Sequence, residues 1–331
     1  MKHITTFAAA VGAVTLALTG CAGGGKAAQS GETKAELPFK ACAVSDTGGW
    51  QDKSFNESAY DGLMEAKSYL GVTVDTAESD TEDDFVGNVD KLVASDCTLI
   101  IGVGFHLEPA VHQSALQHPD RNFAMIDTTF TDGTDETVLK NGRPLLFNAS
   151  EAAFLAGYTS AAMSKTGKVA TFGGAQIPAV AVFMDGFADG VKAYNEAKGT
   201  SVQVLGWDKE TQTGAFTDSF DDQSLGLQQA QQFIAQGADI IMPVAGPVGM
   251  GAAAAAKADG KTLIVGVDSD WYETNPQYSS IILTSVMKEI GAAVEQAIQD
   301  SVKGKFTSEH YIGTLANGGV SLAPFHDYET Q

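Results

Sequence analysis

KACAVSDTGGWQDKSFNESAYDGL, residues 40–63, passes from a short apolar run through a crowded turn into a helical stretch. KACAVS (Lys40–Ser45) reads as a buried strand, and residues 56–70 read as a helix. Ser54 followed by Glu57 is a capping-box pattern, which places the helix start directly after the turn. A plain strand-to-helix turn does not need Asp46, Gly48, Gly49, Trp50, Asp52, Phe55 and Asn56 together. Ligands of open α/β sheets bind beyond the carboxyl ends of strands, so the surplus reads as one wall of a binding cleft.

The alternation continues along the chain. VTVD is a strand, and in TEDDFVGNVDKLVA the residues Phe85, Val89, Leu92 and Val93 fall at helical spacing. TLIIGVG, a helix near residues 108–117 and NFAMID follow. The pattern restarts at Pro144 with PLLFN and EAAFLAGYTSAAM, then KVATFGG, AVFMDGFADGVKAYNEA, SVQVLGW, DIIMPV and TLIVGVD. Strands alternating with helices predict an α/β fold of two doubly wound parallel-sheet lobes. YSSIILTSVMKEIGAAVEQAIQDSVKGK and HYIGTLANGGVSL do not make a third domain; they read as chain crossing back between lobes through a multi-strand hinge. The expected division is residues 38–148 with 284–305 in one lobe and residues 149–283 with 306–331 in the other.

Two such sheets would face a common cleft with their strand ends. The residues just past the predicted strands are Asp46, 102–105, Asp127, Gly173, Gly174, Gly246, Asp268 and Asp270, with Trp50, Phe55, Phe183, Phe220 and Trp271 nearby. Carboxylates accept from hydroxyl or N–H donors, aromatic faces stack on flat rings, and glycine admits close backbone approach. The chain has only two arginines, Arg121 and Arg143, neither at a predicted strand carboxyl end, and no GxxxxGK[ST] loop. Anion sites favour the bidentate guanidinium, so a neutral or cationic ligand with several donors is expected.

Residues 1–20, MKHITTFAAAVGAVTLALTG, combine a basic start, an apolar run and small residues, the pattern of a secretory signal peptide. Leu18-Thr19-Gly20-Cys21 resembles a bacterial lipoprotein box, which implies cleavage before Cys21 and acylation there. Residues 21–37 read as the lipidated cysteine and a flexible tether, about 50 Å when fully extended. No later segment is apolar enough to span a bilayer, so an anchored extracytoplasmic protein is expected. A net charge of −21 argues against nucleic acid and anionic lipid as partners. Cys42 and Cys97 adjoin apolar strand-like runs and read as buried thiols rather than a bridge. No CxxC pair exists, and neither a metal nor a cofactor is expected.

The sequence also resembles a known family, the basic membrane lipoproteins, which are purine nucleoside-binding proteins of ABC transporters. The resemblance covers nearly all of the chain after the leader and rests on three sets of blocks: KSFNESAYDGL; EAAFLAGYTSAAMSKTGKVATFGG with GFADGVKAYN; and AQGADIIMPVAGPVGMGAAAAAK with IVGVDSD and LTSVMK. It implies a type I periplasmic-binding-protein fold, a monomer, capture of guanosine-, inosine- or adenosine-class ligands, and delivery to a permease and ATPase. By resemblance Phe55 stacks on the purine beside Asn56, Asp46 binds ribose hydroxyls, and Asp127 meets donor edges of the base. Phe220 resembles the aromatic of the opposite lobe, with Phe183 as a second candidate. Gly246, Asp268 and Lys288 would complete the ribose site. Trp271 departs from the family's frequent Gln after GVDSD, a change in both shape and donors where base preference is expected to be set.

Other readings of the same residues stay open. Asp46, Asp127, Asp268 and Asp270 suit helix caps, and Phe55 suits a core staple. Phe183 and Phe187 share a helical face, so one of them belongs to the core. His106, His112 and His118 read as surface residues, and the acidic run at 75–84 as a solvated loop and helix start. A nucleoside-sensing receptor without transport and a nucleoside hydrolase are the alternative functions.

Overall fold

The computed structural model describes residues 37–130 and 139–329; the leader, Cys21 and nearly all of the tether lie outside them. The first lobe is built from β1 (Lys40–Ser45), α1 (Phe55–Leu70), β2 (Thr73–Ala77), α2 (Asp84–Ala94), β3 (Leu99–Val103), α3 (Glu108–Gln117), β4 (Asn122–Ile126) and β5 (Gly142–Phe147). The second contains α4 (Ala149–Met163), β6 (Lys168–Gly173), α5 (Pro178–Lys198), β7 (Gln203–Leu205), the hairpin β8 (Trp207–Asp208) and β9 (Thr213–Gly214), α6 (Gln223–Ala235), β10 (Ile240–Val244), α7 (Val248–Asp259), β11 (Leu263–Asp268) and α8 (Trp271–Thr274). The chain ends with β12 (Ile282–Lys288), α9 (Ile290–Val302), β13 (Tyr311–Gly313) and β14 (Val320–Leu322).

Among the described residues these strands form two six-stranded sheets, ordered β2-β1-β3-β4-β5-β13 and β7-β6-β10-β11-β12-β14. Pairing is parallel throughout both, except that β14 runs antiparallel to β12. Each sheet thus repeats one doubly wound order and adds a last strand at its far edge. The central strands are covered on both faces, which explains their unbroken apolar sequences: every residue of β3 and β10 is buried.

The lobe boundary differs from the expected one. Ile282–Lys288 lies in the second sheet between β11 and β14, not in the first lobe. The chain then crosses at Glu289, so that α9 packs on α1 of the first lobe. Next β13 pairs with β5 in the first sheet, and after residues 314–319 β14 returns to the second. Residues 306–331 are therefore split between lobes. With the step at Asn148 between β5 and α4, three short segments join the lobes.

Cys42 and Cys97 form a disulfide, a correction to the thiol reading. Cys42 in β1 and Cys97, two residues before the neighbouring β3, have Cα atoms 5.9 Å apart, within bridging distance. His112 is a second correction: it is 4% exposed on α3, beside buried Glu108. A third concerns the start of α1. Ser54 makes no capping bond; Asp52 instead accepts the N–H groups of Ser54, Asn56 and Glu57 at 2.8–2.9 Å. Glu57 bonds the Lys53 N–H, and the Ser54 hydroxyl is free to reach the other lobe.

Helices α4 and α5 approach closely through glycine. A Cβ on Gly157 would lie 2.0 Å from the Phe187 carbonyl oxygen, and one on Gly190 would lie 2.0 Å from that of Phe154. Gly87, on an open face of α2, has nothing within 4 Å. Gly157→Ala is expected to cost about 1–3 kcal/mol in urea unfolding, because backbone rather than a flexible side chain must move. Gly87→Ala should stabilise by roughly 0.5–1 kcal/mol through helix propensity.

Candidate functional site

The two sheets turn their strand ends toward one cleft, at the points where strand order reverses. In the first lobe Asp46 follows β1 and Gly104 follows β3; in the second Gly174 follows β6, while Ala245 and Gly246 follow β10. Asp46, Phe55, Asn56, Asp127, Phe183, Phe220, Gly246, Asp268 and Lys288, the site residues expected from sequence, all line this cleft. Its empty space is about 640 Å³, counting the solvent-open mouth.

Lys288, at the end of β12, sits at the floor. Its Nζ donates to Asp127 Oδ2 at 2.5 Å and lies 3.9 Å from Asp268 Oδ1. The rings of Phe55, Phe183 and Phe147 surround it, with centroids at 5.1, 5.2 and 5.5 Å, close enough for cation–π attraction. Asp127 and Asp268 occupy equivalent places after β4 and at the end of β11. Both have left-handed backbones, with φ of 67° and 66°. Aspartate tolerates that region better than most residues, and such strained positions gather at functional sites.

Burial pushes the Asp268 carboxyl above its ordinary range, and neighbouring Asp127 adds to this, while Lys288 and the Ser54 hydroxyl bond oppose it. The Ser54 hydroxyl donates to Asp268 Oδ2 at 3.1 Å, and Ser269 Oγ donates to the Lys53 carbonyl at 3.0 Å. With the Lys288–Asp127 pair, these bonds form a polar seam between lobes.

A second polar group lies by the opening turn. Asp46 Oδ1 accepts from Asn56 Nδ2 at 2.8 Å and from the Gly48 N–H at 3.0 Å. Burial raises the Asp46 pKa, against the lowering effect of those bonds and of His106. Gly104, with φ of 116°, passes so close that a Cβ there would meet Asp46 Oδ2 at 2.4 Å.

The aromatics divide by exposure. Phe55 and Phe220 are half-buried and show ring surface to the cleft, and Phe220 packs over Gly174, where a Cβ would come within 2.4 Å of the ring. Phe183 is 1% exposed and lies behind Lys288; Phe187 belongs wholly to the core. Trp271 is a correction. Its side chain is fully buried against Gly249 and Gly266, and its Nε1 donates to the Val267 carbonyl, so it does not enter the cleft. Asp270 caps α8 through the Tyr272 N–H and binds His326. Trp50 packs on Tyr60.

Sequence reasoning put Asp52 in the cleft wall without a role, read His106 only as a surface residue, and overlooked the apolar wall of Ile177, Ala179, Val180, Val244 and Pro247. The position of Ile177, Ala179 and Val180 at the start of α5, after β6, was the available signal. Neither arginine is a lining residue: Arg121 bonds Asp96 and the Cys97 carbonyl, and Arg143 bonds Asp300. Among the described residues no group of three or more His, Cys, Asp or Glu is placed to hold a metal, and no helix is long and apolar enough to cross a membrane.

Comparison with known proteins agrees with this geometry. Residues 39–329 match the family model described as ABC transporter substrate-binding protein PnrA-like, or Bmp. The chain belongs to this family. The chain is 30% identical to the ABC transporter nucleoside-binding protein BmpA of Lactococcus lactis, over 95% of this chain and 90% of that protein. It is 30% identical to basic membrane protein A of Borreliella burgdorferi, over 87% and 77%, and 32% identical to a lipoprotein of Pyrococcus abyssi, over 92% and 72%. A solved ABC transporter solute-binding protein from Aeropyrum pernix superposes with a TM-score of 0.75 at 29% identity, covering 87% of this chain and 77% of that one. At 15% identity, a periplasmic solute-binding protein from Actinobacillus succinogenes, with bound D-allose, has a TM-score of 0.64 over 89% of this chain and all of its own, a likeness of fold. The Bmp chain thus has the type I periplasmic-binding-protein fold, and it is a substrate-binding protein of an ABC transporter.

Asp52 gives this Bmp-family cleft a testable pH signature. Burial raises its pKa from 3.8 to about 6, despite the three N–H groups it accepts. A raised carboxyl pKa favours the folded state most when protonated, so this contribution is complete below about 3.8 and lost as the pH rises through about 6. Relative to Asp52→Asn, the wild-type protein should gain unfolding free energy as the pH falls across that window, measured by urea denaturation at each pH.

Proposed function

We propose that this protein captures purine nucleosides at the extracytoplasmic face of a membrane, held there through a lipid on Cys21, and hands them as a monomer to a permease and its ATPase. The observation that carries the reading is a cleft with exposed phenylalanine faces from both lobes, aspartates at its strand ends, one lysine and no arginine. A flat uncharged ring suits Phe55 and Phe220, and a phosphate or carboxylate finds no bidentate partner. The nucleoside-binding relative from Lactococcus lactis supports the ligand class, and the lipoprotein from Pyrococcus abyssi supports the anchor.

The geometry favours exchanging two roles that resemblance alone suggested. Asp127, Lys288 and Asp268 are one contiguous group of acceptors and a donor, suited to the vicinal hydroxyls of a ribose. Asp46 and Asn56 form a separate group beside the Phe55 wall, suited to the polar edge of the base. Gly246, with φ of 51°, lines the same cleft and would meet the sugar.

Calorimetric titration with guanosine, inosine, adenosine, uridine and guanosine monophosphate tests this reading. The purine nucleosides should bind, and the nucleotide should bind far more weakly. Phe55→Ala should weaken purine nucleosides about tenfold or more, since a stacked base is worth ~1–3 kcal/mol. Failure of all purine nucleosides to bind would refute the proposal, and release of free hypoxanthine from inosine would indicate a hydrolase instead.

A further inference from the structure

Asn56, Asp268 and Lys288 line the cleft yet are only 2%, 8% and 5% exposed, so a ligand reaches them only when the lobes part. Parting must break the polar seam. Two of its contacts, Lys288 with Asp127 and Ser54 with Asp268, involve carboxylates that line the cleft and so respond to whatever is bound there. The third does not. Ser269 Oγ donates to the Lys53 carbonyl at 3.0 Å, and neither Lys53 nor Ser269 is a lining residue.

Both halves of this contact are held in place without a ligand. On the first lobe, Lys53 has φ of 56°, a left-handed backbone that is uncommon outside glycine and persists only where its surroundings impose it. Glu57 accepts the Lys53 N–H, and Asp52 accepts the Ser54 N–H, each at 2.9 Å. The Ser54 N–H and the Lys53 carbonyl belong to one trans peptide plane and point opposite ways. Tying the first to Asp52 therefore aims the second away from α1 and toward the other lobe.

On the second lobe, Ser269 stands between the end of β11 and α8. Its N–H donates to the Val267 carbonyl at 2.8 Å. Asp270 caps α8 through the Tyr272 N–H and meets His326 at 2.7 Å, while the Trp271 side chain is locked in the core. The Ser269 hydroxyl also lies 3.4 Å from Thr274 Oγ1 of its own lobe.

We propose that Ser269 and the Lys53 carbonyl form a latch between the lobes, a positioning contact outside the ligand site that prolongs the closed form equally for every ligand. Partners already aligned on both sides lose little freedom when they meet, so the bond counts nearly in full toward closure. It favours the closed form with or without ligand, which lowers the conformational cost of binding and slows release. Because it touches no ligand, it sets retention and not selection. The choice of ligands for its test rests on the nucleoside reading above; the latch itself does not.

Stopped-flow displacement of guanosine, inosine and adenosine compares the wild-type protein with Ser269→Ala. Release should be faster in Ser269→Ala by about two- to tenfold, the range of one net hydrogen bond, and by the same factor for all three ligands. A lesion that merely distorted the cleft would change the three by different factors. Ser269→Thr, which keeps the hydroxyl, should return release toward the wild-type rate. In the ligand-free protein, paramagnetic relaxation from a spin label on one lobe, read at amides of the other, should show the closed population reduced in Ser269→Ala. Unchanged release in Ser269→Ala, unequal factors among the three nucleosides, or release from Ser269→Thr as fast as from Ser269→Ala overturns the latch and leaves nucleoside capture standing. If no nucleoside binds, that reading falls and the relaxation measurement decides the latch, which a closed population undetectable or unaltered by Ser269→Ala overturns.

Discussion

A lysine ammonium buried where two lobes meet sets the terms for the rest of the molecule. The Lys288 side chain is 3% exposed, and an ion taken that far from water costs several kcal/mol unless it is closely paired. Its partners come from both sheets: Asp127 beyond β4 of the first and Asp268 at the end of β11 of the second. Each carboxylate reaches it from a left-handed backbone position, which the surrounding strands must hold in place. The ends of β4, β11 and β12 therefore have to meet at one level. This explains why β12, although it directly precedes a crossing between lobes, is paired on both edges within the second sheet.

The same constraint accounts for the crowding of the opening turn. Phe55 supplies a ring beside the ammonium, so α1 must begin at the cleft rather than short of it. Asp52 terminates the helix with three N–H bonds, and Ser54 is thereby released to bond Asp268 in the other lobe. Gly48 and Gly104 give Asp46 room on both sides, where a Cβ would lie within 3.3 Å and 2.4 Å of its carboxylate oxygens. Each unusual residue of the turn has a task.

Much of this was legible before any coordinates. The strand-helix alternation defined both sheets, and residues just past strands converged on the cleft because parallel sheets of this order open there. What stayed hidden depended on partners distant in sequence. The pattern of residues 282–288 fits an inner strand of either sheet, and only its neighbours β11 and β14 decide. Ser54 and Glu57 have the right spacing for a cap, but the buried Asp52 carboxylate competes and wins with three bonds. Cys42 and Cys97 stand 55 positions apart, and nothing local tells a pair of core thiols from a bridge until β1 and β3 are paired. Trp271 follows an aspartate-rich strand end and looks like a cleft residue; the space beside Gly249 and Gly266 that swallows its indole belongs to two other elements.

The charge distribution bears on what such a cleft can hold. A chain of net charge −21 with both arginines engaged in other contacts offers little attraction to an anion, and the one lysine at the floor is already neutralised by aspartate. Asp46, Asp127 and Asp268 would repel negative charge and reward hydrogen-bond donors. On the proposed reading, ribose hydroxyls and a purine edge bring those donors without bringing charge. Asp46 and Asn56 of the first lobe and Asp268 and Lys288 of the second then all meet the same ligand. Differential contact of that kind is what shifts a two-lobed protein toward its closed form, because a ligand moves such an equilibrium only by what it gains from both sides at once.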